Sequence, residues 1–286
     1  MKRIWPLFLI LASGLVSPAL PKTKGYLFII GGGDRPESMM RRFVEMAGRF
    51  GNGKIVVFPM ASSEPEETGA GLVSEFLNLG ARQVENLILT RDQALSETSV
   101  RLLEGAGGVF FSGGDQSRQM AVLRQTPLHR RLLELYDQGC VMAGTSAGAA
   151  VMSEVMITGD ERRTVEEGHE FETLEAANIV TSEGLGFIRT AIIDQHFVTR
   201  KRHNRLISLV AERPSLLGIG IDEETAIIVA PDQTFEVVGL RSVVVYDGSR
   251  ADTAVTPSGL IALRGVVMHV LVGGDRFDLK AREAVR

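Results

Sequence analysis

The sequence of 286 residues has 31 lysines and arginines against 35 aspartates and glutamates, a formal net charge of −4 at neutral pH. This balance excludes nucleic-acid coating as the main function, since such proteins carry clustered positive charge. Hydrophobic residues make up 44% and charged residues 23%, as in an ordinary globular chain, which excludes a disordered protein and a protein of many membrane spans.

Residues 1–19 are typical of a secretory signal peptide. Lys2 and Arg3 precede an apolar run over Ile4–Val16, and the small residues Ser17-Pro18-Ala19 follow at the spacing that signal peptidase accepts. The run is shorter than the ~20 residues that span a bilayer. We therefore expect export to the periplasm or the extracellular space, no membrane attachment after cleavage, and a single domain over residues 20–286. The alternatives are a buried first strand and a retained membrane anchor.

Beyond residue 24, short apolar runs alternate with polar segments of helical periodicity. The predicted strands are Tyr26–Ile30, Lys54–Met60, Gln83–Leu89, Gly108–Ser112 and Gly139–Ala143. The predicted helices are Glu37–Gly51, Glu66–Gly80, Ser96–Gly105 and Thr126–Gln138. Because the runs are apolar on consecutive positions, they indicate a parallel sheet buried on both faces. The pattern predicts a doubly wound α/β fold with a mostly parallel sheet between helices, whose ligands bind beyond the carboxyl ends of the strands.

Two glycine-rich turns follow predicted strands in the first half of the chain. The segment Gly31-Gly32-Gly33-Asp34 lacks the spacing of a dinucleotide-binding loop, so we interpret it as a simple turn. Within the segment 110–116, the pair Gly113 and Gly114 follows a buried strand and lets backbone N–H groups approach a ligand closely. Either glycine is a candidate oxyanion donor, and the alternative is an ordinary turn between a strand and a helix.

A candidate nucleophile lies in Gly144-Thr145-Ser146-Ala147-Gly148, between the apolar run Cys140–Ala143 and the small residues Ala149-Ala150-Val151. This is G-x-S-x-G in a strand, turn and helix context, which holds a serine in a strained turn with its hydroxyl exposed. Side chains in place of the glycines would block the neighbouring backbone. A helix behind Ser146 would aim the N–H of Ala147 and a positive dipole end at a developing oxyanion. We infer that Ser146 is a nucleophile.

The stretch Gly159–Thr173 is rich in acidic residues and is predicted to be a loop. Its acids are Asp160, Glu161, Glu166, Glu167, Glu170 and Glu172. From composition alone it is a solvated surface loop.

Of the five histidines, His196 is the best placed to be the base that a serine nucleophile needs. It follows the apolar run Thr190–Ile193 within Asp194-Gln195-His196-Phe197, at the carboxyl end of a predicted strand. The alternative is a histidine packed at a strand terminus. The others, on charged helices, in the acidic loop and in the late β segment, are His129, His203, His169 and His269.

Basic residues follow this histidine at helical spacing. If the segment after His196 is helical, Arg200 lies one turn away on the same face, and Arg202 and Arg205 are neighbours. The planar guanidinium group suits carboxylate recognition beside a catalytic centre. The alternative is a solvated basic helix face.

A third group must orient the histidine, and the apolar segment Gly218–Ile221 leads into three successive acids, Asp222, Glu223 and Glu224. One of them is expected to point to the functional edge of the sheet, but composition does not choose among them. The chain order of serine, histidine and acid differs from that of α/β-hydrolases, in which the acid precedes the histidine. We therefore expect a different fold that carries the same constellation.

From about Phe235 the apolar runs are more closely spaced. Strands are predicted at Phe235–Leu240, Ser242–Tyr246 and Ile261–Val272, separated by turns that contain Gly and Asp. We interpret this region as a β-rich extension of the same domain. The single cysteine, Cys140, cannot form an intrachain disulfide, so stability must come from packing.

At four of these motifs the sequence resembles the cyanophycinase family, relatives of the aspartyl dipeptidase called peptidase E. The matching segments are Phe111–Gln116, Gly144–Ala149, Asp194–Phe197 with the arginines that follow, and Gly218–Glu223 with Thr225-Ala226. They occur in the family's order over most of the chain up to about residue 230. The resemblance implies a fold similar to class I glutamine amidotransferases, with Ser146 in place of their cysteine, and Glu223 as the triad acid.

The resemblance also implies an activity and a substrate pocket. The family hydrolyses cyanophycin, multi-L-arginyl-poly-L-aspartate, and releases β-aspartyl-arginine dipeptides from the chain end. The residues that match pocket positions are Gln116, Asp194, Gln195, Arg200, Arg202 and Arg205. The secretion signal is similar to that of the extracellular branch of the family.

The implied mechanism is that of a serine peptidase with an acyl-enzyme intermediate. His196 takes the proton of Ser146, and Glu223 orients the imidazole. The N–H groups of Ala147 and of Gly113 or Gly114 hold the oxyanion. No cofactor is expected, and no metal either, since the sequence has no Cys/His cluster with ligand spacing. The polymer carries guanidinium groups and carboxylates, so we expect the arginines to bind carboxylates and the acidic loop to bind guanidinium groups.

Two alternative functions remain open. One is an exported aspartyl dipeptidase of the peptidase E type, which cleaves after aspartate in small peptides. The other is a catalytically inactive relative that captures peptides, which the intact Ser146, His196 and Glu223 disfavour. Relatives in the family suggest a homodimer, but the sequence has no diagnostic apolar stripe. The acidic balance predicts no nucleic-acid partner.

Overall fold

The computed structural model describes residues 23–164, 166 and 168–285. The predicted signal peptide of residues 1–19 lies outside the described residues. Within the described ranges, none of the helices has both the length and the apolar character that crossing a membrane requires.

The strands and helices alternate in the first half of the described chain, and strands dominate the second half. The strands are β1 Tyr26–Ile30, β2 Lys54–Phe58, β3 Gln83–Asn86, β4 Ala106–Phe111, β5 Val141–Thr145, β6 Val155–Glu161, β7 Ile179–Glu183, β8 Ala191–Gln195, β9 Leu217–Ile221, β10 Thr225–Val229, β11 Thr234–Gly239, β12 Ser242–Asp247, β13 Asp252–Val255, β14 Ile261–Arg264, β15 Val267–Val272, β16 Arg276–Asp278 and β17 Glu283–Val285. The helices are α1 Glu37–Ala47, α2 Pro65–Asn78, α3 Arg91–Ala94, α4 Glu97–Arg101, α5 Gln116–Leu123, α6 Pro127–Gln138, α7 Ala147–Ala150 and α8 His203–Glu212.

The largest sheet joins a parallel half to an antiparallel half, in the order β17-β16-β11-β10-β1-β5-β4-β2-β3. Strands β1, β5, β4, β2 and β3 run parallel to one another. Strand β10 pairs with β1 in the antiparallel sense, and β11, β16 and β17 continue that sense outward. The predicted α/β architecture with a parallel core sheet between helices is confirmed.

Strand β1 is buried on both faces, as the consecutive apolar positions predicted. Leu27 and Ile29 pack in the core that α6 covers, while Phe28 and Ile30 pack on the other face against α1 and α2. Helices on both faces leave no solvated side for polar residues, so this strand has no polar alternation. Because β1 and β5 are parallel neighbours, their carboxyl ends lie side by side at one edge of the sheet, between the helix layers.

A second sheet has the order β15-β12-β9-β8, with β8 and β9 parallel. Helix α8 covers one face of it, where Leu206 and Val210 pack on Ile192 and Val244. The predicted β-rich extension is divided among three sheets, since β13 and β14 form a separate two-stranded sheet. Strands β11 and β16 extend the first, whereas β12 and β15 extend the second, because the backbone edges of β10 and β9 both need hydrogen-bond partners.

Several local predictions were wrong at element boundaries. The strand predicted at Ile261–Val272 divides into β14 and β15 at Gly265, whose φ is +77°. Helix α5 was not predicted, although Asp115 begins it by accepting hydrogen bonds from the N–H groups of two residues in its first turn. The stretch 159–173 is not all loop, since β6 continues to Glu161.

Candidate active site

Ser146 lies on a strained turn directly after β5. Its φ is +54°, a region that residues other than glycine seldom adopt. Its N–H donates a 3.1 Å hydrogen bond to the carbonyl of Ile30 at the end of β1. A Cβ on Gly144 would lie 2.3 Å from the carbonyl oxygen of Gly148, and one on Gly148 would lie 2.1 Å from that of Phe111. Backbone contacts therefore require both glycines that flank the serine.

His196 and Ser146 are in direct contact. The Oγ of Ser146 lies 2.8 Å from Nε2 of His196, and Nδ1 of His196 lies 2.7 Å from Oε1 of Glu223. Since a carboxylate only accepts hydrogen bonds, Nδ1–H donates to Glu223 and Nε2 is left to accept the serine proton. The imidazole is buried, and the backbone N–H of His196 donates to the carbonyl of Gly31 at 2.7 Å.

The three successive acids after β9 have three different partners. Glu223 contacts His196, as above, while Oδ1 of Asp222 accepts the backbone N–H of Thr199 at 2.9 Å. Glu224 forms an ion pair with Arg241. Only Glu223 of the three is therefore in position to orient the imidazole.

The surroundings hold the pKa of His196 below its ordinary value of 6.5. Burial is the main cause, because it penalises the charged imidazolium, and the positive charges of Arg200 and Arg202 act in the same direction. The hydrogen bond and charge of Glu223 oppose the shift. The imidazole is consequently neutral at pH 7, the form that accepts a proton.

The backbone beside Ser146 offers hydrogen-bond donors for an oxyanion. The N–H groups of Gly113, Gly114 and Ala147 donate to no backbone acceptor in the described part of the chain. A Cβ on Gly113 would lie 3.5 Å from Cβ of Ser146, so this backbone adjoins the nucleophile. At Gly114 φ is +132°, and a Cβ would lie 2.0 Å from the carbonyl oxygen of Ala61.

The helix that follows Ser146 differs from the prediction. Helix α7 is a single turn over Ala147–Ala150. The aligned peptide dipoles of one turn sum to little, so the N–H groups themselves, rather than a helix dipole, provide the local positive potential.

The glycine turn over residues 31–33, which the sequence predicted to be a simple turn, packs against the side chains of His196 and Glu223. A Cβ on Gly32 would lie 2.4 Å from Cε1 of His196, and one on Gly33 would lie 2.8 Å from Cβ of Glu223. Both glycines have positive φ, +110° and +68°. The available signal was three consecutive glycines at the carboxyl end of a strand that adjoins the nucleophile's strand.

Ser146 opens onto a cleft of about 400 Å³. The residues that line it are Gly114, Asp115, Gln116, Ser117, Ser146, Thr158, Gly159, Asp160, Gln195, His196, Arg200, Arg202 and Arg205. Of the predicted pocket residues, only Asp194 is absent from this lining.

Asp194 and Arg205 form a buried ion pair beneath the cleft. Each residue is 1% exposed, and Nε of Arg205 donates to Oδ2 of Asp194 at 2.8 Å, with a second bond between Nη2 and Oδ1. The guanidinium also lies over the ring of Phe171, 4.9 Å from its centroid. Its charge is therefore already balanced by Asp194, and the pair supports the cleft floor.

The segment directly after His196 is not helical. Residues 197–202 form turns, with Lys201 at a φ of +54°, and α8 begins at His203. The turns still bring Arg200 to the cleft, since its N–H donates to the carbonyl of His196 at 2.9 Å.

Arg202 is held against Gln195. Nη1 of Arg202 donates to the backbone carbonyl of Gln195 at 2.9 Å and also to the side-chain oxygen of Gln195. Burial, followed by the charge of Arg205, lowers the pKa of Arg202 to about 10.

Most of the acidic stretch lies elsewhere. Glu166 and Glu172 line a separate cavity with Arg163 and His169, and Glu167 is outside the described residues. From this stretch only Gly159 and Asp160 line the Ser146 cleft. The expectation that the glutamates face the cleft is therefore not met by those the structure describes.

Other reactive groups do not compete with Ser146. Burial raises the pKa of the Cys140 thiol to about 12, so it stays protonated at neutral pH. Among the described residues, no group of three or more His, Cys, Asp or Glu side chains converges as a metal site would require.

Comparisons with known proteins identify the family of the chain. A family model described as Peptidase family S51 matches residues 27–237. The cyanophycinase of Nostoc sp. is 36% identical over 269 residues, which cover 91% of this chain and 87% of that protein. The cyanophycinase of Geminocystis herdmanii is 34% identical over 266 residues, which cover 90% of this chain and 94% of that protein.

The fold also matches a solved structure, a peptidase from an acI-B1 Actinobacterium. The TM-score is 0.65 at 23% sequence identity, and the match covers 90% of this chain and 98% of that one. At this identity the likeness concerns the fold alone.

Proposed function

The chain belongs to peptidase family S51 and is a serine-type peptidase, and from this premise we propose that it hydrolyses cyanophycin to β-aspartyl-arginine dipeptides. The nucleophile is Ser146, the base is His196 and the orienting acid is Glu223. The observation that carries the proposal is the continuous hydrogen-bonded series from Oγ of Ser146 through the imidazole to the carboxylate, with contacts of 2.8 and 2.7 Å.

The reaction proceeds through an acyl-enzyme. Nε2 of His196 accepts the proton of Ser146 as Oγ bonds to the carbonyl carbon of the polyaspartate backbone. The N–H groups of Ala147 and of Gly113 or Gly114 stabilise the oxyanion. The C–N bond then breaks, the imidazolium returns its proton to the leaving nitrogen, and an ester on Ser146 remains. Water then gives a proton to the same imidazole as its oxygen bonds to the ester carbonyl carbon. The bond from that carbon to Oγ breaks, the imidazolium returns the proton to Oγ, and the product leaves with a free carboxyl group.

Two observations support cyanophycin as the substrate. The relatives at 34–36% identity that cover about nine tenths of the chain are named cyanophycinases. In addition, the cleft presents the guanidinium groups of Arg200 and Arg202, which have no carboxylate partner among the described residues and suit the substrate's carboxylates.

The test is incubation of the mature protein with insoluble cyanophycin, followed by identification of the soluble products. Ser146→Ala removes the nucleophile, so we expect turnover to fall by about 10⁶-fold with an unchanged thermal unfolding midpoint. Ser249→Ala, an exposed serine outside the cleft, serves as the matched control and keeps wild-type turnover. Cyanophycin turnover at the wild-type rate by Ser146→Ala would overturn the assignment.

Parallel assays distinguish the two alternatives. A wild-type protein that cleaves aspartyl dipeptides but not cyanophycin is a peptidase of the peptidase E type. A protein that cleaves neither, and whose Ser146 is not labelled by a small covalent serine reagent, is a peptide-binding relative.

Export and self-association belong to the same proposal. The residues 1–19 carry the features of a signal peptide, and an exported enzyme would degrade polymer outside the cytoplasm. A homodimer is supported by an apolar stripe on β15, the outermost strand of the second sheet, formed by Met268, Val270 and Val272, which are 57%, 57% and 53% exposed.

A further inference from the structure

An irregularity in β6 directs one acidic residue into the Ser146 cleft. Strand β6 pairs with β7 from Val155 to Ile157, and the register then shifts before pairing resumes at Glu161. Gly159 lies in the irregular segment with a φ of +105°, which a residue with a side chain rarely adopts. Such bulges re-aim side chains, and Asp160 is among the residues that line the cleft.

The irregular segment is held in place by Gln116. Nε2 of this buried residue donates to the carbonyl of Ile157 at 2.9 Å and to that of Thr158 at 2.6 Å. Both amide hydrogens of Gln116 are therefore used on the protein backbone. This residue, predicted from the resemblance to bind substrate, fixes the backbone that carries Asp160.

Of the two carboxylates that line the cleft, that of Asp160 has no partner among the described residues. The other acidic residue of the lining, Asp115, accepts the N–H groups of Ser117 and Arg118 with Oδ1 and so caps α5. The carboxylate of Asp160 makes no hydrogen bond or ion pair within the described part of the chain, and the residue is exposed. It is therefore available to a ligand.

The cleft thus presents charges of both signs. Arg200 and Arg202 line it without a carboxylate partner among the described residues, whereas the charge of Arg205 is balanced by Asp194. Asp160 supplies the negative charge. Each repeat of an arginyl-aspartate polymer carries one guanidinium group and one free carboxylate, so a cleft with separate cationic and anionic groups complements it.

We propose that Asp160 binds the guanidinium group of the substrate's arginine and thereby determines the preference for arginine in the dipeptide that is released. This inference rests on the proposed function and names a specificity residue within it. A carboxylate and a guanidinium form a charge-assisted, bidentate pair that a neutral side chain of the same shape cannot form with equal strength. The assignment replaces the glutamates of the acidic stretch by Asp160.

The experiment uses two soluble synthetic peptides, one of β-aspartyl-arginine repeats and one with citrulline, the neutral analogue of arginine, in its place. We expect the wild-type enzyme to favour the arginine peptide in kcat/KM by about 10- to 100-fold. In Asp160→Asn the ratio should fall to about one, through a loss on the arginine peptide alone. Asp160 is exposed, so the unfolding midpoint should not change. Glu166→Gln, in the separate cavity, is the matched control and should keep the wild-type ratio.

The outcomes separate this inference from the proposed function. Failure of the wild-type enzyme on both peptides and on cyanophycin would overturn the proposed function. Wild-type cleavage of both peptides at equal efficiency, or an Asp160→Asn variant that keeps the wild-type ratio, would overturn the role of Asp160 while the peptidase activity stands. A loss of the ratio in Glu166→Gln alone would overturn the role of Asp160 and assign the guanidinium to the separate cavity that Glu166 lines.

Discussion

In the proposed mechanism, the protonation of a single residue, His196, sets the lower pH limit of the activity. Its pKa lies below the ordinary 6.5, mainly because of burial and secondarily because of Arg200 and Arg202, while Glu223 limits the shift. Only the neutral imidazole accepts the serine proton, so kcat/KM should fall only when the pH drops through this lowered pKa. We therefore expect kcat/KM to persist to a lower pH than an imidazole of ordinary pKa would allow.

Removal of a neighbouring cation should shift the pH at which kcat/KM falls on the acid side of the pH profile, here called the acid limb. In Arg200→Gln a positive charge that disfavours imidazolium is lost, so the pKa of His196 rises and the acid limb of kcat/KM moves to higher pH. The measurement is the pH profile of the variant and of the wild type on the same soluble peptide at low ionic strength. The difference should shrink in high salt, because Arg200 is exposed and its charge is screened.

Arg213→Gln, an exposed cation at the far end of α8, is the control and should leave the profile unchanged. An acid limb that stays in place or moves to lower pH in Arg200→Gln would contradict the electrostatic explanation.

At the scale of elements, the site depends on turns at the carboxyl ends of strands. Ser146 follows β5, His196 follows β8, and the glycine turn after β1 lies beneath His196 and Glu223. The turn contributes no side chain to the chemistry. Its function is to leave room for the imidazole, which a Cβ at position 32 would displace.

Gly32→Ala should accordingly reduce kcat strongly and also lower the thermal unfolding midpoint, because alanine is strained at the φ of +110°. The added Cβ would lie 2.4 Å from Cε1 of His196, and the imidazole must move away from Ser146. A displacement of about 1 Å costs about 100-fold in rate. The measurement is kcat together with the thermal unfolding midpoint.

Gly71→Ala is the matched control, because Gly71 lies within α2 with nothing within 4 Å of the added Cβ. It should leave kcat unchanged and stabilise the protein by about 0.5–1 kcal/mol. A wild-type kcat in Gly32→Ala would contradict this explanation, since it would show that the backbone of the turn shifts to accommodate the Cβ while the imidazole stays in place.

At the scale of the whole molecule, the second sheet leaves an apolar stripe exposed on β15, formed by Met268, Val270 and Val272. Helix α8 covers β8, β9 and β12 on one face, but β15 lies at the edge of that sheet. Val272 N–H donates to Asp275 rather than to a neighbouring strand. Since this backbone group is already bonded, the exposed apolar side chains of β15 are the surface that we expect to pair with a second copy of the chain.

A lysine on this stripe should prevent the proposed dimer from forming. We expect Val270→Lys to be a monomer in light scattering at a concentration at which the wild type is a dimer, because a buried unpaired charge opposes pairing. Leu77→Lys, at an exposed apolar position on α2, is the control and should remain dimeric. A monomeric wild type, or a dimeric Val270→Lys, would show that β15 is not the interface.

The sequence by itself determined the features that depend on local pattern. Consecutive apolar runs indicated strands buried on both faces, and glycines around Ser146 indicated a nucleophile in a tight turn. The motif at Asp194–His196 likewise indicated a base at a strand end. Each of these follows from burial or backbone conformation over a few neighbouring residues.

Only the tertiary structure decided which distant groups meet. Composition could not choose among the three acids after β9, and only packing brings Glu223 to His196. Asp194 and Arg205, expected at the substrate, neutralise each other beneath the cleft, while the glycine turn after β1 supports the imidazole. These relations join positions far apart in the chain, and the distances between them are set by how strands and helices pack, which no local pattern records.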